Sequence, residues 1–151
     1  MSVTVDTSRV GSVFTGTPPF EVTRRDVVAF ADAVGATSPV HRDLAAARAA
    51  GFSDLVAPVT FPVVIAQEAE AEYIADPASG VDFSRVVHAD ESFSYQRPIV
   101  AGESLSTAVH VDSITSRGGL TLVTARTEIT TADGDGVATV ISTLAVRGAD
   151  A

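Results

Sequence analysis

Three histidines, a run of alternating glutamates and one helix-entry segment are the places where this sequence offers chemistry. His41 ends the loop Ala36-Thr37-Ser38-Pro39-Val40-His41, between a glycine that stops one helix and an aspartate that starts another. An imidazole there can exchange a proton near neutral pH, although a lone loop histidine is more often solvated or bonded to a cap. His88 precedes Ala89-Asp90-Glu91 at the entrance to a strand, where a turn-stabilising or surface role is the simpler reading. His110 alternates with Val109 and Val111 on a sheet face. No histidine has another three or four positions away, so the spacing predicts no metal site. Glu68, Glu70 and Glu72 read as the solvated end of a helix.

The junction Val59-Thr60-Phe61 carries a different signal. A helix N-terminus has unpaired N–H groups and the positive end of a dipole. If the chain enters a helix here, amides near Thr60 and Phe61 are placed to polarise a bound carbonyl; ordinary N-capping by Thr60 is an equal reading. The sequence has no G-x-S-x-G elbow, P-loop or dinucleotide fingerprint, and Gly11-x-x-x-x-Gly16 lacks the lysine that would follow. With no cysteine, disulfides, thiolate metal sites and a cysteine nucleophile are all excluded. No cofactor is expected.

These residues need elements to hold them. Thr23 with Asp26 three residues on is a capping-box start. Val27, Phe30, Ala31 and Val34 then recur at helical spacing until Gly35. Asp43 caps a second short helix through Ala50, closed by Gly51. Pro62 opens the most apolar segment, running through Val63, Ile65, Ala69 and Tyr73. Its early part is apolar around much of its circumference, so it should be a core helix largely covered by other structure. Beyond it the pattern alternates as strands do: Ser92–Tyr95, Leu105–Asp112, Leu120–Thr131 and Val137–Val146, with turn signals at Gly118-Gly119 and Asp133-Gly134-Asp135-Gly136. Helices followed by consecutive strands predict an α+β fold. An antiparallel sheet wrapped around a central apolar helix, the hot-dog arrangement, is one such fold among several that periodicity allows.

Composition sets outer bounds. At 151 residues the chain reads as one domain, residues 1–151, able to bury a sizeable core. Ten basic residues, all arginine, against 19 acidic ones give a formal net charge of −9, which argues against nucleic acid. No segment reads as a membrane span or as a signal peptide, so the cytoplasm is the simplest expectation.

Three blocks of this sequence resemble a known family. Phe30–His41 resembles the hydratase motif of MaoC-like proteins, whose core reads G-D-x-N-P-x-H. Leu55–Phe61 and Phe93–Leu105 are similar to two further blocks of the MaoC-type N-terminal dehydratase domain, including actinobacterial (3R)-hydroxyacyl-thioester dehydratase subunits. The likeness runs from about Phe14 to Arg147, with the blocks in order. It implies the hot-dog fold and an (R)-specific dehydratase/hydratase acting on 3-hydroxyacyl thioesters of CoA or acyl carrier protein. By position the motif histidine is His41, and the oxyanion amides fall near Thr60 and Phe61. Val59 and Arg97 join them as substrate-binding candidates.

One departure matters. The motif aspartate falls on Ala36 and the motif asparagine on Ser38. Alanine neither accepts a proton nor orients water, while Asp32 and Asp43 stand near but off the motif position. The resemblance therefore implies a subunit that binds substrate but is weakly or non-catalytic alone, working as a homodimer or as a heterodimer with a catalytic hot-dog subunit. The alternatives are a homodimeric hydratase using His41 and an acyl-thioester-binding protein without turnover. A charge of −9 steers anionic thioesters poorly. Binding would lean on Arg97, Arg42 and Arg48 or on a partner's positive charge, which favours the heteromer.

Overall fold

The computed structural model describes residues 4–148. Two short strands, β1 (Val13–Phe14) and β2 (Phe20–Glu21), precede helices α1 (Arg24–Val34), α2 (Leu44–Ala49) and α3 (Pro62–Ala75). Four long strands follow: β3 (Val86–Tyr95), β4 (Ser104–Arg117), β5 (Leu120–Thr131) and β6 (Gly136–Arg147). They form one antiparallel sheet in the order β1-β4-β5-β6-β3, with β2 also pairing β4. The helix α3 packs on the sheet, so the expected hot-dog arrangement is the one found.

The local signals act as read. Thr23 Oγ1 accepts the Asp26 N–H at 3.1 Å and Asp26 returns the bond to the Thr23 N–H at 3.3 Å, closing a capping box. Gly35 ends α1 at φ +70°, and the Asp43 carboxylate caps α2 through the Ala45 N–H. Gly118 and Gly119, both at positive φ, turn the chain from β4 into β5 in two residues. β1 and β2 were not expected: two residues each are too short to show an alternation. β3 begins at Val86, six residues before the alternating stretch, and so contains His88.

The reason β3 hides its first half is a bulge. Register shifts between His88 and Asp90, leaving Ala89 as the extra residue. Val86 and Phe93 are an odd number apart, yet both pack toward the helix side of the sheet. The bulge likewise puts His88 and Glu91 on one face, where they pair at 3.0 Å between His88 Nδ1 and Glu91 Oε1.

Two expectations for α3 hold only in part. The covering expected of the helix holds for its early part, where no residue from Pro62 to Ala66 is exposed, but beyond it only the face of Ala69, Glu70 and Tyr73 is buried, while Gln67, Glu68, Ala71 and Ala75 are exposed. The three glutamates also part company, because residues two apart in a helix point to opposite sides. Glu68 is exposed and Glu72 reaches the Gly16 N–H at 2.9 Å, but Glu70 is 1% exposed between α3 and the sheet. Neither of its oxygens has a hydrogen-bond partner among the described residues. Nearby Ser142 gives its proton to Glu91 Oε2 at 2.9 Å.

Burial pushes the Glu70 carboxyl up from 4.5 to about 7; Glu91 adds to the rise, while Ser142 and His88 oppose it. The folded chain therefore holds a proton here that the unfolded chain releases above about pH 4.5. Stability from this group is fully present below that value and is lost as pH rises through about 7. The loss amounts to roughly 3 kcal/mol. Denaturant titrations from pH 4 to pH 8 should show this decline in the natural chain, and Glu70→Gln should remove it.

Candidate active site

Three short stretches of backbone are laced together around His41. The Val56 N–H donates to Val40 O at 2.9 Å, the Ala57 N–H to Ile99 O at 2.8 Å, and the Ala101 N–H to Leu55 O at 2.9 Å. The segment Leu55–Ala57 is thus a strap between the histidine loop and the stretch that follows β3. Each of the three sequence blocks contributes one strand of this lacing.

The strap also orients the imidazole. His41 sits in a 3-10 turn, Pro39–His41, with Nδ1 at 2.5 Å from Val56 O. A carbonyl only accepts, so Nδ1 carries the proton in the neutral ring and Nε2 keeps its lone pair. His41 lines a pocket of about 350 Å³ with Val56, Val59, Tyr95, Gln96 and Arg97. The Tyr95 hydroxyl donates to Val59 O, and burial raises it to about 12, so it stays a donor. A bare imidazole nitrogen facing a mostly apolar pocket is suited to removing a proton from a bound organic substrate.

The other expected site residues divide. Val59 and Arg97 line the His41 pocket. Arg97 is held by Glu103 at 2.6 Å, with Glu103 Oε2 in turn accepting the Val100 N–H at 3.0 Å. The helix cap is Phe61, not Thr60, and no side chain bonds it. Phe61 donates its N–H to Pro58 O at 2.9 Å, and its ring lies 1% exposed in the core, edge-on to Phe20 and Phe30. The amides of Val63 and Val64 bond back to Thr60 O and Phe61 O. Of the two oxyanion candidates, only the Thr60 N–H has no acceptor among the described residues. Tyr95 and Gln96 were missed as individual residues, although both stand in the block Phe93–Leu105.

At the vacated acid position, Ala36 O accepts from Arg42 Nη2 at 2.8 Å, and Arg42 also pairs with Asp32. Asp32 is therefore engaged and exposed, and Asp43 is spent on the α2 cap. His110 lies on β4 at 3.5 Å from Glu128, away from the pocket. Among the described residues, no three His, Cys, Asp or Glu side chains gather where a metal could be held. No helix among them is long and apolar enough to cross a membrane.

A family model described as FAS1-like, dehydratase domain region, matches residues 8–140. The chain belongs to that family. Curated relatives include UPF0336 proteins of Saccharopolyspora erythraea, 46% identical over 95% of this chain and 92% of theirs, and of Leifsonia xyli, 47% identical over 97% and 98%. Among solved structures, the HadBC (3R-hydroxyacyl-ACP dehydratase) complex of Mycobacterium tuberculosis superposes with TM-score 0.81 at 28% identity, covering 91% of this chain and 96% of that one. A MaoC-like dehydratase superposes with TM-score 0.86 at 33% identity over 95% of this chain, which spans 43% of that larger protein. MaoC-like dehydratases thus share both fold and sequence with this FAS1-like chain.

The orientation of His41 gives a direct check. Two-bond ¹⁵N–¹H correlation spectra at pH 8 should show a protonated Nδ1 and an unprotonated Nε2. The reverse tautomer would mean that Val56 does not hold the ring.

Proposed function

We propose that this chain is a subunit of a (3R)-hydroxyacyl-CoA or acyl-carrier-protein dehydratase, run equally as an enoyl-thioester hydratase. The observation that carries the reading is His41: an imidazole with its outer nitrogen bare, in a pocket built by the blocks shared with MaoC-like dehydratases. In this role His41 Nε2 exchanges the α-proton of the thioester. The Thr60 N–H and the start of α3 are the groups available to polarise the thioester carbonyl. Val59 borders the acyl group, and Arg97 stands at the pocket wall for an anionic carrier.

Dehydration needs a second group to protonate the departing hydroxyl, and Ala36 cannot. Loss of one member of a cooperating acid–base pair forfeits much of its 10²–10⁴-fold contribution. The chain alone is accordingly weakly or non-catalytic in its own pocket. It works beside another hot-dog subunit, as the HadBC complex supports. A second reading, a homodimeric hydratase using His41, is favoured by one observation: outside the motif the chain still holds a buried carboxyl, Glu70, whose oxygens have no partner among the described residues.

Crotonyl-CoA hydration, measured on the chain alone and beside a catalytic hot-dog subunit, tests the proposal. Ala36→Asp should raise the rate of the chain alone at least about ten-fold, toward the range an acid–base partner supplies. Adding His41→Ala should erase that gain. A rate unmoved by Ala36→Asp, with no hydration in any pairing, would overturn the thioester reading.

A further inference from the structure

Strand register sets the side chains of the sheet in rows. Val123 and Val146 pack toward Tyr73 of α3, so Leu122 and Arg147 beside them point away from the helix. Arg117 pairs with Leu120 and Leu120 pairs with Arg147, which puts two arginines in one row of this outer face with a leucine between them. In the next row Thr115, Leu122, Ala145 and Val87 pair in turn. Arg85 precedes Val86, the partner of Val146, and shares a hollow of about 530 Å³ with Arg147, Leu120 and Val87. On the other side of Leu120, a second hollow of about 440 Å³ is lined by Arg117 and Leu122. This end of the sheet is separate from the His41 pocket, with which it shares no lining residue.

Charge here runs against that of the chain. In a protein of formal charge −9, Arg9, Arg24, Arg42, Arg97 and Arg126 each pair with a carboxylate. Arg117 and Arg147 are exposed and pair with none among the described residues. Arg85 meets Asp82 at 3.3 Å and gives Nη1 to Gly148 O at 2.9 Å, which leaves its Nη2 without an acceptor among the described residues. Between these cations lie Leu120, Leu122 and Val87, 39%, 36% and 63% exposed. Exposed apolar side chains set between unpaired cations suit a partner with the same alternation and the opposite charge.

Spacing selects that partner. Neighbouring strands lie about 4.8 Å apart, so the backbones of Arg117 and Arg147 stand about 10 Å apart across β5. Seven residues of α-helix rise about 10.5 Å, and the residues three and four along share that face. We propose that this end of the outer sheet face docks an acidic amphipathic helix of a partner protein, lying across the strands. Its carboxylates at i and i+7 meet Arg117 and Arg147, and the apolar residues between them cover Leu120 and Leu122. Arg85 takes a further carboxylate at the Arg147 end. A flat anionic surface such as a bilayer fits less well. Three arginines act only within about 8 Å in physiological salt, while a charge of −9 is repelled by an extended negative plane. The docking stands whether or not His41 handles thioesters.

The probe is a fluorescein-labelled helical peptide of about 18 residues, with glutamates at i and i+7 and leucines at i+3 and i+4. Its anisotropy should rise with the natural chain, and ¹⁵N–¹H shifts should move around Leu120 and Arg147. Glutamine in place of both glutamates, or Arg117→Gln with Arg147→Gln in the chain, should weaken binding about ten-fold. Arg25→Gln, which removes an exposed arginine of α1, should leave binding unchanged. Arg117→Glu with Arg147→Glu should instead take the peptide that carries lysines for glutamates, which also shows that the altered face is folded. No binding at about 1 mM peptide overturns the proposal. So do equal binding of the glutamine peptide, shifts confined to another face, or an equal loss in Arg25→Gln. Sedimentation with phosphatidylglycerol vesicles and no binding to the peptide overturns it in favour of a lipid surface.

Discussion

The peptide group of Val56 holds the site together. Its N–H ties down Val40 and its carbonyl orients His41, while its neighbours Leu55 and Ala57 bond to Ala101 and Ile99. One extended segment thereby fixes the histidine loop, the stretch after β3 and the approach to α3 relative to one another. Backbone groups enforce this arrangement almost regardless of side chain, and they resist distortion because a buried carbonyl or N–H left unpaired is costly. The imidazole tautomer follows from the strap rather than from any charged neighbour. Histidine orienters of this neutral kind leave the ring free to change charge without breaking an ion pair.

Much of the architecture was legible because its signals are local. The capping box at Thr23 and Asp26, Gly35, the Asp43 cap and the Gly118-Gly119 turn each act within a few residues, and each is found where it was read. The sheet came from alternation and the central helix from a long apolar run. What local pattern could not convey is how a residue's environment is completed from afar. Glu70 reads as a polar residue among polar residues until the helix is laid on β6 and β3. Helical angle alone, however, separates Glu70 from Glu68 and Glu72 and aligns it with Ala66 and Tyr73, so the signal was present in the spacing.

The site was legible in the same uneven way. His41, Val59 and Arg97 meet in one pocket, as their blocks imply. Phe61 does not share it as a side chain, because an aromatic ring at the head of α3 is worth more packed against Phe20 and Phe30 than facing a ligand. Its amide is likewise claimed by Pro58. Thr60 escapes both fates only because the chain turns under it. Which of two adjacent amides remains free is decided by one hydrogen bond, a level of detail that residue types do not encode.

The bulge at Ala89 has a consequence of a genetic kind. Ala89 is exposed, so exchanging its side chain disturbs little. Its presence as a counted residue is another matter. Removing it would restore strict alternation along β3 and swing His88 and Val86 to the opposite face relative to Glu91, Phe93 and Tyr95. The position should thus accept many substitutions yet reject deletion, and sequences descended from this one should vary in letter there while keeping their length.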